Sequence, residues 1–182
     1  MKAIALLSTA LLLVSAPALA DEAPPERADA VRVRGGISAG GGFVYAGSSV
    51  GSAVAPAVGL SGRLGVQINH PFSLYYQNMG VVVIDGGGVG ILDYNSFMAN
   101  LTASHLVDIG FGPSVDVVTV SASSRSATAV LFGLHGRLAV NFGASGTTPR
   151  RSGFSVGLDL HPTFGPGGTL FTMAAGVGYE WY

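Results

Sequence analysis

The chain has 182 residues, of which 10% are charged, with 28 glycines, no cysteine and a formal charge of −1. The missing cysteine excludes disulfides, thiolate catalysis, thiolate metal sites and a lipid anchor on an N-terminal cysteine, and no basic face exists that nucleic acid would need. Mean hydropathy is +0.50, high for a soluble domain, yet no stretch offers the roughly 18 consecutive apolar residues of a membrane helix.

Met1 to Ala20 reads as a signal peptide: Lys2 gives the basic start, Ala3 to Val14 the apolar run, and Ala18-Leu19-Ala20 the small-x-small cleavage spacing. Lys2 is the only lysine, so the mature chain carries 8 arginines against 10 acids, or about −2. Residues 21–30, beginning Asp21-Glu22-Ala23-Pro24-Pro25, are polar, proline-rich and without periodicity, which predicts a periplasmic tail outside the fold. Residues 31–182 form the folded domain.

From Val31 onward the apolar period is two rather than 3.6, the signature of strands. Val31, Val33, Ile37, Phe43 and Tyr45 alternate with Arg32, Arg34 and Ser38. Val58, Leu60, Leu64, Val66 and Ile68 share a face opposite Ser61, Arg63, Gln67 and Asn69. Phe72 to Ile84 and Ile91 to Thr102 change phase part-way, which points to bulges or to a register that the pattern does not set. Val107, Ile109, Phe111, Val115 and Val117 alternate with Asp108, Ser114 and Asp116. Pro113 lies inside that run, and a missing ladder donor there points to a bulge or to a different register. Val130 to Phe142 sets Phe132, Leu134, Leu138 and Val140 against His135, Arg137 and Asn141. Phe154, Val156, Leu158 and Leu160 alternate with Ser155, Asp159 and His161. Phe171, Met173, Val177, Tyr179 and Trp181 alternate with Thr172 and Glu180. This makes about eight strands, each able to supply the ~9–11 residues that cross a bilayer with tilt.

Turn chemistry separates the runs. Gly47 to Pro56, Asp85 to Gly90, Ser121 to Ser126 and Thr163 to Gly168 are the expected outer loops. His70-Pro71, Ser104 to Leu106, and Ala144 to Ser152 are the expected periplasmic connections. An even strand count keeps both termini on the periplasmic side.

Alternation alone also suits a soluble lipocalin-like barrel, which would carry an apolar ligand. Such a barrel has an outer face rich in Lys and Glu. Here the polar faces are poor in charge and rich in Gly, Ser and Ala, as a narrow interior requires. Aromatics also gather near strand ends. Tyr45, Phe164 and Phe171 lie toward the outside, and Phe72, Phe142, Phe154, Tyr179 and Trp181 toward the periplasm, as membrane girdles would. The predicted fold class is all-β, a closed antiparallel up-and-down transmembrane barrel.

The C-terminal run Gly176-Val177-Gly178-Tyr179-Glu180-Trp181-Tyr182 resembles the last strand of outer-membrane barrel proteins. The whole plan resembles the small eight-stranded barrels of the outer-membrane protein A and X kind. That resemblance implies an outer-membrane location, surrounding lipid as partner, a monomer, and recognition of Tyr179, Trp181 and Tyr182 by the barrel-assembly machinery. Trp181 keeps the phase of the pattern and Tyr182 is one residue more.

An eight-stranded barrel is just wide enough to be filled by side chains, and charges inside it must be paired. Folding the 144–152 connection about its middle sets Arg137 opposite Asp159 and His135 opposite His161. Closing the last strand on the first brings Glu180 to Arg32 or Arg34. Arg63, Asp108 and Asp116 complete an expected lumen network of ion pairs. A metal site on His135, Asp159 and His161 is the weaker reading, because two His and one Asp fall short of a closed ligand set. Gly86-Gly87-Gly88 lacks a following helix and reads as turn material rather than a phosphate loop. For lipid A chemistry the one compact candidate is Ser104-His105 with Asp108, at the periplasmic end and away from outer-leaflet substrate. No cofactor is expected. The leading expectation is a barrel with a structural, interaction or limited-permeation role.

Overall fold

The computed structural model describes residues 31–181 apart from 70, 86–87, 104–105, 123–124 and 143–151. The expected leader and tail, with His70, Ser104, His105 and Tyr182, lie outside the described residues. Eight strands follow one another: β1 (Arg32–Ser48), β2 (Gly51–Gln67), β3 (Phe72–Asp85), β4 (Gly88–Ala103), β5 (Val107–Ala122), β6 (Arg125–Phe142), β7 (Ser152–Gly165) and β8 (Gly168–Trp181). Each pairs antiparallel with its successor, and β8 closes on β1 from Gly35↔Trp181 to Ser48↔Gly168. Closure removes the free edges that a flat sheet of these strands would expose.

The register fixes the strand tilt. Stepping from partner to partner leads from Arg32 through Gln67, Ser73, Asn100, Gly110, Arg137, Asp159 and Ala174 to Gly42. The path returns to β1 ten residues higher than it left, between Arg32 and Gly42. A shear of ten over eight strands tilts them by roughly 40°, so each residue climbs about 2.5 Å along the axis. Phe154 and Phe164 are both exposed on β7, ten residues apart, and Trp181 and Phe171 stand at matching positions on β8. Ten residues at this tilt span about 25 Å, the height of the apolar band of an outer-membrane barrel.

The strands have 14 to 18 residues, so the band takes up only part of each. Most of the excess lies at the outer end. The expected loop Gly47 to Pro56 is almost wholly strand, with only Ser49 and Val50 between β1 and β2. The expected loop Thr163 to Gly168 likewise shrinks to Pro166 and Gly167. Runs of Gly, Ala and Ser read as loop by composition, yet their backbones pair as well as any others. Gly51 turns the first hairpin with φ 151°, a value that side-chain-bearing residues rarely adopt.

Two places where the pattern left a bulge or the register open are settled without a bulge. Phe72 to Ile84 and Ile91 to Thr102 contain no bulge, and β3 and β4 pair without a slip from Phe72↔Leu101 to Asp85↔Gly88. The apparent phase change comes from side-chain chemistry. Tyr75, Met79, Val81, Leu92, Tyr94 and Met98 point inward and are buried, while Asn78, Asp93 and Asn95 lie on the outer face. Pro113 also makes no bulge. The β4–β5 ladder lapses between Ser96↔Ser114 and Ala99↔Phe111 and resumes in the same register. On its other side Pro113 stays paired with Leu134. The cost of the missing N–H is two lapsed pairs rather than an inserted residue.

The two faces invert the order of a water-soluble domain. Leu60, Phe97, Phe111, Phe154 and Val177 are each more than half exposed, whereas Arg34, Arg63, Asp108, Asp116, His135, Arg137, Asp159 and Glu180 are buried. An apolar surface spread over the strands of a whole barrel is far larger than a monomer keeps in water. The seam between β1 and β8 is covered from outside by Trp181, whose ring lies over Gly35 where a Cβ would collide with it.

Candidate functional site

Among the described residues charge gathers in the interior, which is built in tiers from the periplasmic end. Lowest is an arginine–carboxylate cluster. Arg34 on β1 donates from Nη2 to Glu180 Oε2 at 3.0 Å and to Asp108, and from Nη1 to Ser73 Oγ at 2.8 Å. Asp108 on β5 also accepts from Thr102 at 2.6 Å and from Asn141 at 3.0 Å. Glu180 on β8 is shared: Arg137 Nη2 donates to its Oε1 at 3.0 Å, and Arg63 forms an ion pair with the same oxygen at 3.4 Å. Arg32, at the rim, is half-buried. Glycines on the lumen face make room for the guanidinium groups. A Cβ at Gly36 would lie 3.0 Å from Arg63 Nη2, and one at Gly157 would lie 3.0 Å from Arg137 Nη2.

The middle tier holds the histidines. Arg137 on β6 faces Asp159 on β7 in the ladder and donates from Nη1 to its Oδ2 at 2.8 Å. His135, two residues further up β6, has Ser96 Oγ on Nδ1 and Asp159 Oδ1 on Nε2, each at 2.9 Å. His161 on β7 lies 4.8 Å from His135 between ring centroids. Its Nε2 faces Asp116 Oδ1 at 3.1 Å and Ser114 Oγ at 3.0 Å. Tyr94 stacks on the His161 ring at 3.9 Å, and Thr163 donates to Asp116 at 2.6 Å.

Polar chemistry stops above this tier. Val44, Ala57, Val81, Leu92 and Val118 are buried together, with Met79 and Tyr94 beneath them and Val83, Leu131 and Leu170 packed against the group. They form an apolar cap at the height of the outer girdle. Over it opens a depression of about 570 Å³, lined by Ser48, Ser52, Leu131, Leu170 and several glycines, with no charged side chain.

This arrangement limits the chemistry. Ser96, His135 and Asp159 are linked in the hydrogen-bond order of a nucleophilic triad, but Ser96 and His135 have no solvent exposure. Ions and apolar side chains close the space on both sides, so no substrate can reach the hydroxyl. His135, His161 and Asp159 do not converge, since the two rings serve different carboxylates. Among the described residues no group of three potential ligands could hold a metal. Asp108, the acid expected beside Ser104 and His105, is committed inside the lumen to Arg34, Thr102 and Asn141.

Sequence reasoning missed the neutral partners Ser73, Gln77, Tyr94, Ser96, Thr102, Thr163 and the whole apolar cap. Strand parity could have found them, because each has the phase of a charged lumen residue on its own or the neighbouring strand. The cap was hidden by its chemistry: Val81, Leu92 and Val118 are apolar, so hydropathy alone does not mark them as lumen residues, and the register places them inside.

A closed eight-stranded barrel, apolar outside and filled with paired charges, defines a transmembrane β-barrel of the small outer-membrane class. No protein-family model matches the sequence, and no curated protein does. Among solved structures the chain is similar to Neisserial surface protein A, at 15% identity and a TM-score of 0.58, covering 82% of this chain and 97% of that one. It is also similar to Ail, the attachment invasion locus protein of Yersinia pestis, solved with the heparin analogue sucrose octasulfate. There identity is 13% and the TM-score 0.55, over 81% of this chain and 98% of that one. Likeness at this level shows a shared fold.

Proposed function

We propose that the mature chain resides in the outer membrane as a closed barrel whose lumen is structural and whose role is played by its outer end. The observation that carries this reading is the filled interior: an arginine–carboxylate cluster below and an apolar cap above leave no continuous path for ions or solutes. The strands continue past the outer girdle by several residues, and two-residue turns join β1 to β2 and β7 to β8, which gives a stiff platform rather than long loops. Its surface is neutral and hydroxyl-rich, with Thr119 bonded to Thr128 at 3.0 Å and Ser121 to Ser126 at 3.1 Å. Arg125 is the one cation of the strand segments at this end. A polyanion such as the ligand bound to Ail therefore finds no basic surface here, and a neutral polar partner fits better. Recognition of Tyr179, Trp181 and Tyr182 by the barrel-assembly machinery is part of the same proposal, supported by the placement of Trp181 on the closing seam.

Planar-bilayer recording tests the closed lumen. The purified barrel is expected to insert without a stable ohmic current. Steady single-channel steps would contradict the reading. Cell fractionation with a heat-modifiability gel tests the location: the folded form is expected in the outer-membrane fraction, migrating differently before and after boiling.

A further inference from the structure

On β3 and β4 the outer wall carries a stretch where its chemistry reverses. Tyr76 and Asn78 on β3 and Asp93 and Asn95 on β4 share the outward face with Leu74, Val82, Ile91 and Phe97. Asn78 stands opposite Asn95 and Gly80 opposite Asp93. Asn78 Nδ2 donates to Asp93 Oδ1 at 2.6 Å and to Asn95 Oδ1 at 3.1 Å. The Tyr76 hydroxyl donates to Asn95 Oδ1, and Asn95 Nδ2 reaches the Asp93 backbone oxygen at 3.4 Å. Asn78 lies six residues above the girdle residue Phe72, about 15 Å up at this tilt and thus deep in the band. Asp93 lies close to the outer girdle. Beside the amides the wall is indented: a Cβ on Gly62, which pairs with Asn78, or on Gly80 would meet nothing within 4 Å.

Amides in hydrocarbon are costly unless every donor and acceptor is used. Here the Asn78 side-chain oxygen accepts no hydrogen bond among the described residues, and the second N–H of Asn95 donates none. One acceptor and one donor are left over side by side, at the depth where no water can serve them. We propose that this face docks a second copy of the same chain, related by a two-fold axis along the membrane normal.

This rests on the membrane reading above. Two copies inserted in the same direction meet at equal depths, so the free Asn78 oxygen of one faces the free Asn95 N–H of the other, and the reverse. A two-fold interface needs a patch that complements itself, and amides do so where a lone carboxylate or cation could not. The outer face of the described strands offers no cation that would call for a charged partner. Asp93 is held by Asn78 near the outer girdle, where water and headgroups reach it. The indentation at Gly62 and Gly80 lets the two walls come close, framed by Leu60, Leu64, Val82 and Phe97. The contact replaces the monomer that the sequence alone suggests.

The natural chain has no cysteine, so single cysteines report the contact directly. Val82→Cys on the rim and Val156→Cys on the β7 wall would be oxidised in isolated outer membranes and in phospholipid vesicles containing only this protein. Covalent homodimer is expected for Val82→Cys and not for Val156→Cys. Adding Gly80→Leu, which fills the indentation without touching a hydrogen bond, is expected to cut the cross-link at least tenfold while the barrel stays heat-modifiable. Adding Asn78→Leu with Asn95→Leu should do the same. Equal cross-linking at both positions, cross-linking to a different protein only, or a cross-link that survives Gly80→Leu would overturn the dimer. A heat-modifiable membrane barrel that never cross-links overturns the dimer alone, whereas a chain recovered from the soluble fraction overturns the membrane reading.

Discussion

Glu180→Ala is expected to be the most damaging single change in the barrel. Its carboxylate accepts from Arg34 and Arg137, each at 3.0 Å, and is paired with Arg63 at 3.4 Å. Removing it leaves three buried guanidinium groups with only Asp108 and Asp159 among them. Breaking one buried pair by deleting a partner typically costs about 3–5 kcal/mol, and Glu180 serves three cations. Failure to refold, or a fall of the urea midpoint in detergent greater than for any other lumen substitution, is the expected result. Glu180→Gln keeps shape and acceptor capacity and should recover part of the loss. The readout is the fraction of heat-modifiable band against urea, and an unchanged midpoint for the alanine variant would remove the lumen cluster from the account of stability.

Arg137→Ala follows in size. Arg137 joins the two tiers, donating at 2.8 Å to Asp159 and at 3.0 Å to Glu180. Its loss takes from Asp159 its arginine partner, leaving it His135 and Gln77, and removes one of the three arginines around Glu180, so a cost of about 3–5 kcal/mol is expected. A double-mutant cycle with Asp159→Ala separates the ion pair from lost packing. Because the partners touch, the double variant should be less damaged than the two losses added together, by about 0.5–3 kcal/mol. Strict additivity would show that the two side chains do not act on each other.

Much of this architecture is legible in the sequence because strand parity is a simple code where the two faces differ in chemistry. β6 and β7 show it best: they alternate cleanly, and folding their connection about its middle places Arg137 opposite Asp159. β3 and β4 show where the code fails. Tyr75, Met79, Leu92 and Met98 face inward and Asn78, Asp93 and Asn95 outward, so hydropathy reports a phase change that the backbone does not make. The outer hairpins fail for another reason. A run such as Gly51 to Ala55 has turn composition, and only its pairing with β1 shows that it is ladder. Pro113 fails for a third: a closed sheet held on both sides tolerates two lapsed pairs more readily than an extra residue that would shift every contact beyond it.

A barrel of this build requires the oily face of each strand to meet hydrocarbon, and the chain carries its own reporter of this. Trp181 is the only tryptophan, and the structure sets it on the outer face at the periplasmic girdle. Its fluorescence would be read in vesicles of phospholipids brominated at graded depths along the acyl chain. Strong quenching by the shallowest label, declining toward the bilayer centre and with little effect from aqueous iodide, is the predicted result. Insensitivity to every lipid label, with full quenching by iodide, would contradict it.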